Sequence, residues 1–219
     1  MNTIRFPIKP KNCSEFLPGS HASGNYSIYD DNGNPFTVWC HLDHAQGKAW
    51  TLVTSVSLGN VAETSLTKIQ LKLNAPVNDN NPNLYRYRMS LTRMKQIRAL
   101  STYWYAVCNF NGTMSDRRDT VRGKLSELDP IAYTGNGECR KVEYINIRGF
   151  TCKQCTVLWY QVTGNMLHVD SSVDGSCDLD ARSGAVSSED NFGLYGGSVN
   201  NNFTCTENDA STTSWWFRN

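Results

Sequence analysis

The reactive side chains of this 219-residue chain fall into a few close groupings. Cys152-Lys153-Gln154-Cys155 has the spacing of a redox dithiol or of half a zinc knuckle. A redox pair sits at the start of a helix that follows a strand, whereas this one precedes a strand-like run. A zinc knuckle needs a second Cys-x-x-Cys, and the chain has none. A structural bridge is the simpler reading. His41 and His44 could supply two metal ligands, but no third or fourth ligand is predictable nearby, so exposed loop histidines are the simpler reading. Asp174, Asp178 and Asp180 lie among small residues, with Glu189 further on. Carboxylates so spaced suit a hard, oxygen-seeking ion such as calcium. A solvated acidic loop capping its own turns fits the same residues. The twelve-residue EF-hand pattern is absent, as are nucleotide, phosphate-loop, zinc-protease and serine-hydrolase fingerprints.

Composition narrows the classes of function. A net charge of +1 gives no electrostatic footprint for nucleic acid. No apolar run approaches the ~20 residues of a membrane span, so no membrane insertion is expected. Eight cysteines, an even number, suit four bridges made in an oxidising compartment, which points to a secreted or extracellular protein. Free thiols in a cytosolic protein are the alternative. Met1–Phe6 lacks the apolar segment of a secretion signal, so a secreted reading takes the chain as a mature form with an added start methionine. Asn12, Asn25, Asn111 and Asn202 head glycosylation sequons.

The elements that would position these groups are mostly strands. Residues 23–29 alternate, Asp31-Asn32-Gly33-Asn34-Pro35 is a turn signal, and Phe36, Val38 and Cys40 share a face, together forming a hairpin. Residues 69–73 alternate like a strand. The Asn- and Pro-rich stretch 74–83 reads as a surface loop. Ser90 is placed to cap a helix from Leu91 to about Leu100, with Leu91, Met94, Ile97 and Leu100 inward and Arg93, Lys95 and Arg98 outward. Residues 101–110 are aromatic and predicted buried. Residues 141–148 and 156–162 read as strands, the second forming a hairpin with 166–169. From Asp170 to Trp215, Gly, Ser, Asn and Asp dominate. The expected fold class is α+β: disulfide-bridged antiparallel sheet, few short helices and long C-terminal loops.

Cys13, Ser23-Gly24-Asn25-Tyr26-Ser27-Ile28, Phe36-Thr37-Val38-Trp39-Cys40, Gly47 and Trp50-Thr51-Leu52-Val53 together resemble the opening of a fibrinogen-related domain, the fold of the fibrinogen C-terminal region and of many animal lectins. The resemblance resumes in part at Cys205 and Trp215-Trp216. It implies a tail at 1–12 and one domain over 13–219: a disulfide-framed part (13–53), a central sheet and helix (54–170) and a loop-rich ligand-binding part (171–219). It also implies a Cys13–Cys40 bond. Around it the expected pairing is completed by Cys108–Cys139, Cys152–Cys155 and Cys177–Cys205. Calcium would be held by Asp174, Asp178, Asp180 and Glu189. A sugar would meet Asp190, Asn191, Tyr195, Trp215 and Trp216, with His168 at the edge. Two departures stand against copying the family's pockets directly. The acidic residues lie further upstream of Cys205 than in the family, and no cysteine follows Trp215-Trp216.

The expectation that follows is a secreted, calcium-dependent, lectin-like module for innate recognition or cell adhesion. It would have no catalytic residues, would bind a glycan or glycoprotein, and would gain avidity as a homo-oligomer. The alternative is a matrix or cell-surface module that binds protein and has lost the sugar pocket.

Overall fold

The computed structural model describes residues 9–19, 21–196 and 198–219. Most of the expected tail therefore lies outside the described residues. Pro10, within it, accepts a hydrogen bond from the Tyr29 amide (2.8 Å).

Among the described residues the strands are β1 (Gly24–Tyr29), β2 (Pro35–Asp43), β3 (Lys48–Ser57), β4 (Arg86–Arg88), β5 (Tyr103–Cys108), β6 (Thr120–Lys124), β7 (Gly135–Ile147), β8 (Phe150–Gln161), β9 (His168–Asp170), β10 (Asp190–Asn191) and β11 (Thr212–Arg218). They form one antiparallel sheet in the order β1-β2-β3-β11-β5-β6-β7-β8-β9-β10. β2 pairs with β3 over residues 48–51, and β4 pairs with it over 54–56. The helices are α1 (Thr64–Thr67) and α2 (Leu91–Ala99).

This arrangement corrects the α+β expectation. Helices of four and nine residues cannot make a layer of their own against eleven strands, so the fold is sheet-dominated. The expected helix at 91–100 is present, with Met94 and Ile97 buried, but Ser90 does not cap it with its side chain. Asp79 accepts from the Ser90 amide (2.7 Å) and Asn74 from the Leu91 amide (2.9 Å), so the 74–83 loop supplies the cap. Residues 69–73 are not a strand. Their carbonyls turn inward onto the fully buried Arg88, whose guanidinium donates to Ser65 O, Ile69 O, Gln70 O and Leu73 O (2.6–2.7 Å). Burial pulls the Arg88 pKa down to about 10, which leaves it charged at neutral pH. Four carbonyl dipoles take the place of a carboxylate partner.

The hairpin of β1 and β2 forms as expected, with Gly33 in the left-handed region (φ 81°) at the turn. The pair β8–β9 also forms, with Trp159 opposite Val169. The core is built on tryptophan. Trp104 stacks on Trp215 (5.5 Å between centroids) and meets Trp159 edge-on (5.7 Å). Trp216 packs against Trp39 and Phe110. Gly123, opposite Trp104 on β6, leaves room for that indole, since a Cβ there would come within 2.8 Å of its ring.

Two expected bridges form, Cys13–Cys40 and Cys152–Cys155. The other two are exchanged: Cys108 bonds Cys205, and Cys139 bonds Cys177. The reason is the position of β11. Its first residues lie beside Cys108 (Thr213 is opposite it), and the 3-10 turn Thr204–Thr206 just before β11 brings Cys205 to the end of β5. Asn109 donates to Thr204 O and Asp119 accepts from the Thr204 amide, fixing that turn. Cys177 lies in a segment running along β8, where Leu179 N bonds Thr156 O (3.1 Å). There it reaches Cys139 on the adjoining β7.

Candidate functional site

The carboxylates expected to hold calcium are already engaged. Asp174 and Asp180 both bind the guanidinium of Arg182 (2.9 and 2.7 Å), and this cation holds the Asp180 carboxyl well below the usual carboxylate range. Asp178 accepts from the Thr156 amide and hydroxyl (both 2.8 Å). Glu189 is 2% exposed and accepts from Arg148 (3.2 Å), Asn191 (3.0 Å), Asn200 (2.6 Å) and the Val186 amide (3.1 Å). Among the described residues no group of three or more His, Cys, Asp or Glu side chains is placed to hold a metal ion. Asp174 and Asp180 share Arg182, while Asp178 and Glu189 are bonded to other partners. His41 and His44 do not converge either: His41 contacts Ser23 (3.3 Å) and His44 the His21 carbonyl (2.6 Å).

The residues expected to meet a sugar are mostly internal. Trp215 and Trp216 are 1% and 0% exposed, and Trp215 donates its indole N–H to Phe192 O (2.7 Å). They belong to the core and offer no face to a ligand. Asn191 is fully buried against Glu189, and the Tyr195 hydroxyl is spent on Thr213. Only His168 and Asp190 come together, at 3.3 Å, under a stacked Tyr160. Burial lowers the His168 pKa, and burial together with Asp170 raises that of Asp190 to about 7. His168 Nδ1 lies 2.7 Å from Met166 O, which makes it the donor and leaves Nε2 to accept. The contact thus joins a His168 held toward its neutral form to an Asp190 whose hold on a proton is raised.

An open site lies elsewhere, at the β3–β11–β5 junction. Register places Trp50, Arg218 and Tyr103 side by side on these three strands. The Arg218 guanidinium lies over the Tyr103 ring (4.2 Å to centroid) and the Trp50 ring (4.9 Å). Both rings, Tyr105 and Arg218 line a cavity of about 410 Å3, within the size range of small-ligand sites. Its polar wall is Lys48, Asp116, Arg122 and Glu143. A second hollow of about 490 Å3 shares Gln46, Met114 and Ser115 with the first, so the two form one trough. Arg122 is tied to Asp116 (2.7 Å) and to Glu143. Arg218 joins no ion pair among the described residues, and its buried Nε has no hydrogen-bond partner there. Burial pulls its pKa down from the ordinary guanidinium value.

Sequence reasoning passed over this site because its parts are single residues on three strands far apart in the chain. The available signal was alternation: Lys48 and Trp50, Tyr103 and Tyr105, Trp216 and Arg218 each lie two apart and share a strand face. No protein-family model matches the chain, and no curated protein matches it. Among the described residues no helix is long and apolar enough to cross a membrane.

Proposed function

We propose that this chain is a non-catalytic, extracellular glycan-recognition module of fibrinogen-related type, acting in innate recognition or cell adhesion. The observation that carries the reading is the trough at β3, β11 and β5, where the half-buried Tyr103 ring and Arg218 face a fan of charged and amide groups. Sugar rings bind through C–H contacts to aromatic faces and through hydroxyls to such polar groups. Four disulfides support the extracellular placement. The Cys13–Cys40 bond and the entry of Trp50-Thr51-Leu52-Val53 into β3 are compatible with the fibrinogen-related resemblance. The reading does not require calcium: Asp174, Asp178, Asp180 and Glu189 are bonded to Arg182, Thr156 and Arg148. Single shallow sites bind weakly, so the module would act as a homo-oligomer.

The test is a glycan array read with an artificially multimerised protein, with and without calcium. Expected is a calcium-independent signal that Tyr103→Ala lowers about tenfold, Tyr103 being half-buried at the trough wall. A blank array for the folded native protein overturns the reading and favours a protein-binding module of the matrix or cell surface.

A further inference from the structure

The charges around the 410 Å3 cavity do not balance. Lys48, Arg122 and Arg218 are three cations against the two carboxylates Asp116 and Glu143, a surplus of one. Both carboxylates are committed to Arg122, and Glu143 lies 3.9 Å from Lys124 outside the lining. Lys48 donates to Gln46 Oε1 (2.6 Å), a neutral acceptor. Among the described residues Lys48 and Arg218 are the lining cations left without a carboxylate, and Arg218 alone lacks any side-chain acceptor. Two aromatic rings fix its position, which removes the rotamer entropy an arginine ordinarily loses on binding. The rings supply no hydrogen-bond acceptor in the guanidinium plane. A half-buried guanidinium with bare donors gains most from an anion that accepts from it at close range.

Resting on the glycan reading, we propose that the cavity selects an acidic sugar, its carboxylate or sulfate seated against Arg218 with Lys48 as the second cation. The ring of the same residue would lie against the half-buried Tyr103, and further residues of the glycan would run into the adjoining hollow beside Met114 and Ser115.

The measurement is a titration followed by the indole N–H resonance of Trp50 in a two-dimensional nitrogen-15 spectrum of the intact protein. The probes are methyl glucoside, methyl glucuronide, methyl glucoside 6-sulfate and sodium acetate. Expected is glucuronide binding about tenfold tighter than glucoside, a preference lost in Arg218→Gln. Lys48→Gln, at a strand end, repeats the test with about a threefold loss should Arg218→Gln fail to fold. A sulfated probe as tight as the glucuronide upholds the anion site and widens it to sulfated glycans; a weaker one upholds it for carboxylates alone. Glucoside and glucuronide binding alike would overturn the anion site and leave glycan binding standing. Acetate as tight as glucuronide would uphold the anion site and overturn the sugar reading. A resonance that no probe moves would overturn both.

Discussion

Two polar regions of this molecule look alike in composition and differ in what their groups have left to give. The 170–200 loops hold more carboxylates and more Asn and Ser than the β3–β11–β5 junction. Yet Asp174, Asp178, Asp180 and Glu189 are bonded to Arg182, Thr156 and Arg148. At the junction a single arginine lies between two rings and has no carboxylate of its own among the described residues. Binding needs spare hydrogen-bonding capacity facing accessible space, and residue type alone does not report it. The acidic loops use theirs to hold themselves down.

The sharpest way to break this contrast is Glu189→Ala. It leaves Arg148, 4% exposed at its side chain, without its counter-charge, and frees Asn191 and Asn200. A loss of about 3–5 kcal/mol in denaturant unfolding is expected. A loss below ~1 kcal/mol would mean that the loops are not held from within.

A smaller effect, with a pH signature, is expected at Asp190. Its folded-state pKa lies near 7 and above the unfolded value near 4, so the native state binds the extra proton between those limits. Stability contributed by this group is therefore full below pH 4 and falls as pH rises to about 7. Asp190→Asn should melt higher than the native protein at pH 8, by about 1–2 kcal/mol after allowing for partial solvation, with the difference fading toward pH 4. A pH-independent difference would place the proton elsewhere.

The Asp174→Asn, Asp180→Asn double variant should leave the melting temperature unchanged, with or without millimolar calcium, because both side chains and Arg182 are solvent-exposed. A calcium-dependent rise in the native protein that the variant abolishes would reinstate the acidic loop as a metal site. The least perturbing test is glycan mapping of protein expressed with glycosylation. Asn25, Asn111 and Asn202 are exposed, whereas Asn12 is 9% exposed with its side-chain oxygen bonded to Ser14. Occupancy is expected at the first three sequons and not at Asn12.

What could be read in advance was local. The Asn32-Gly33 turn, the period-two strands on either side of it and the 91–99 helix follow from neighbours in sequence, and each is present. What depends on partners far along the chain did not show. Residues 69–73 alternate, yet a buried arginine fifteen or more positions away claims their carbonyls. The partner of Cys108 depended on β11 entering mid-sheet, in a region whose composition reads as loop. The Trp215-Trp216 pair has the composition of a sugar platform as much as of a core, and only the pairing of β11 on both edges distinguishes the two. Arg218 carries no motif, and its role emerges from register with Trp50 and Tyr103.

The central seat of β11 has a consequence for biosynthesis. During translation β3 and β5 leave the ribosome with a gap between them that only residues 212–218 can fill, so both hold open hydrogen-bonding edges for most of that time. Partner contacts spanning more than a hundred residues make for slow closure. Two unpaired edges invite association with other chains. Chaperones that mask exposed strands should therefore raise the yield of this protein more than an isomerase that only reshuffles its bridges.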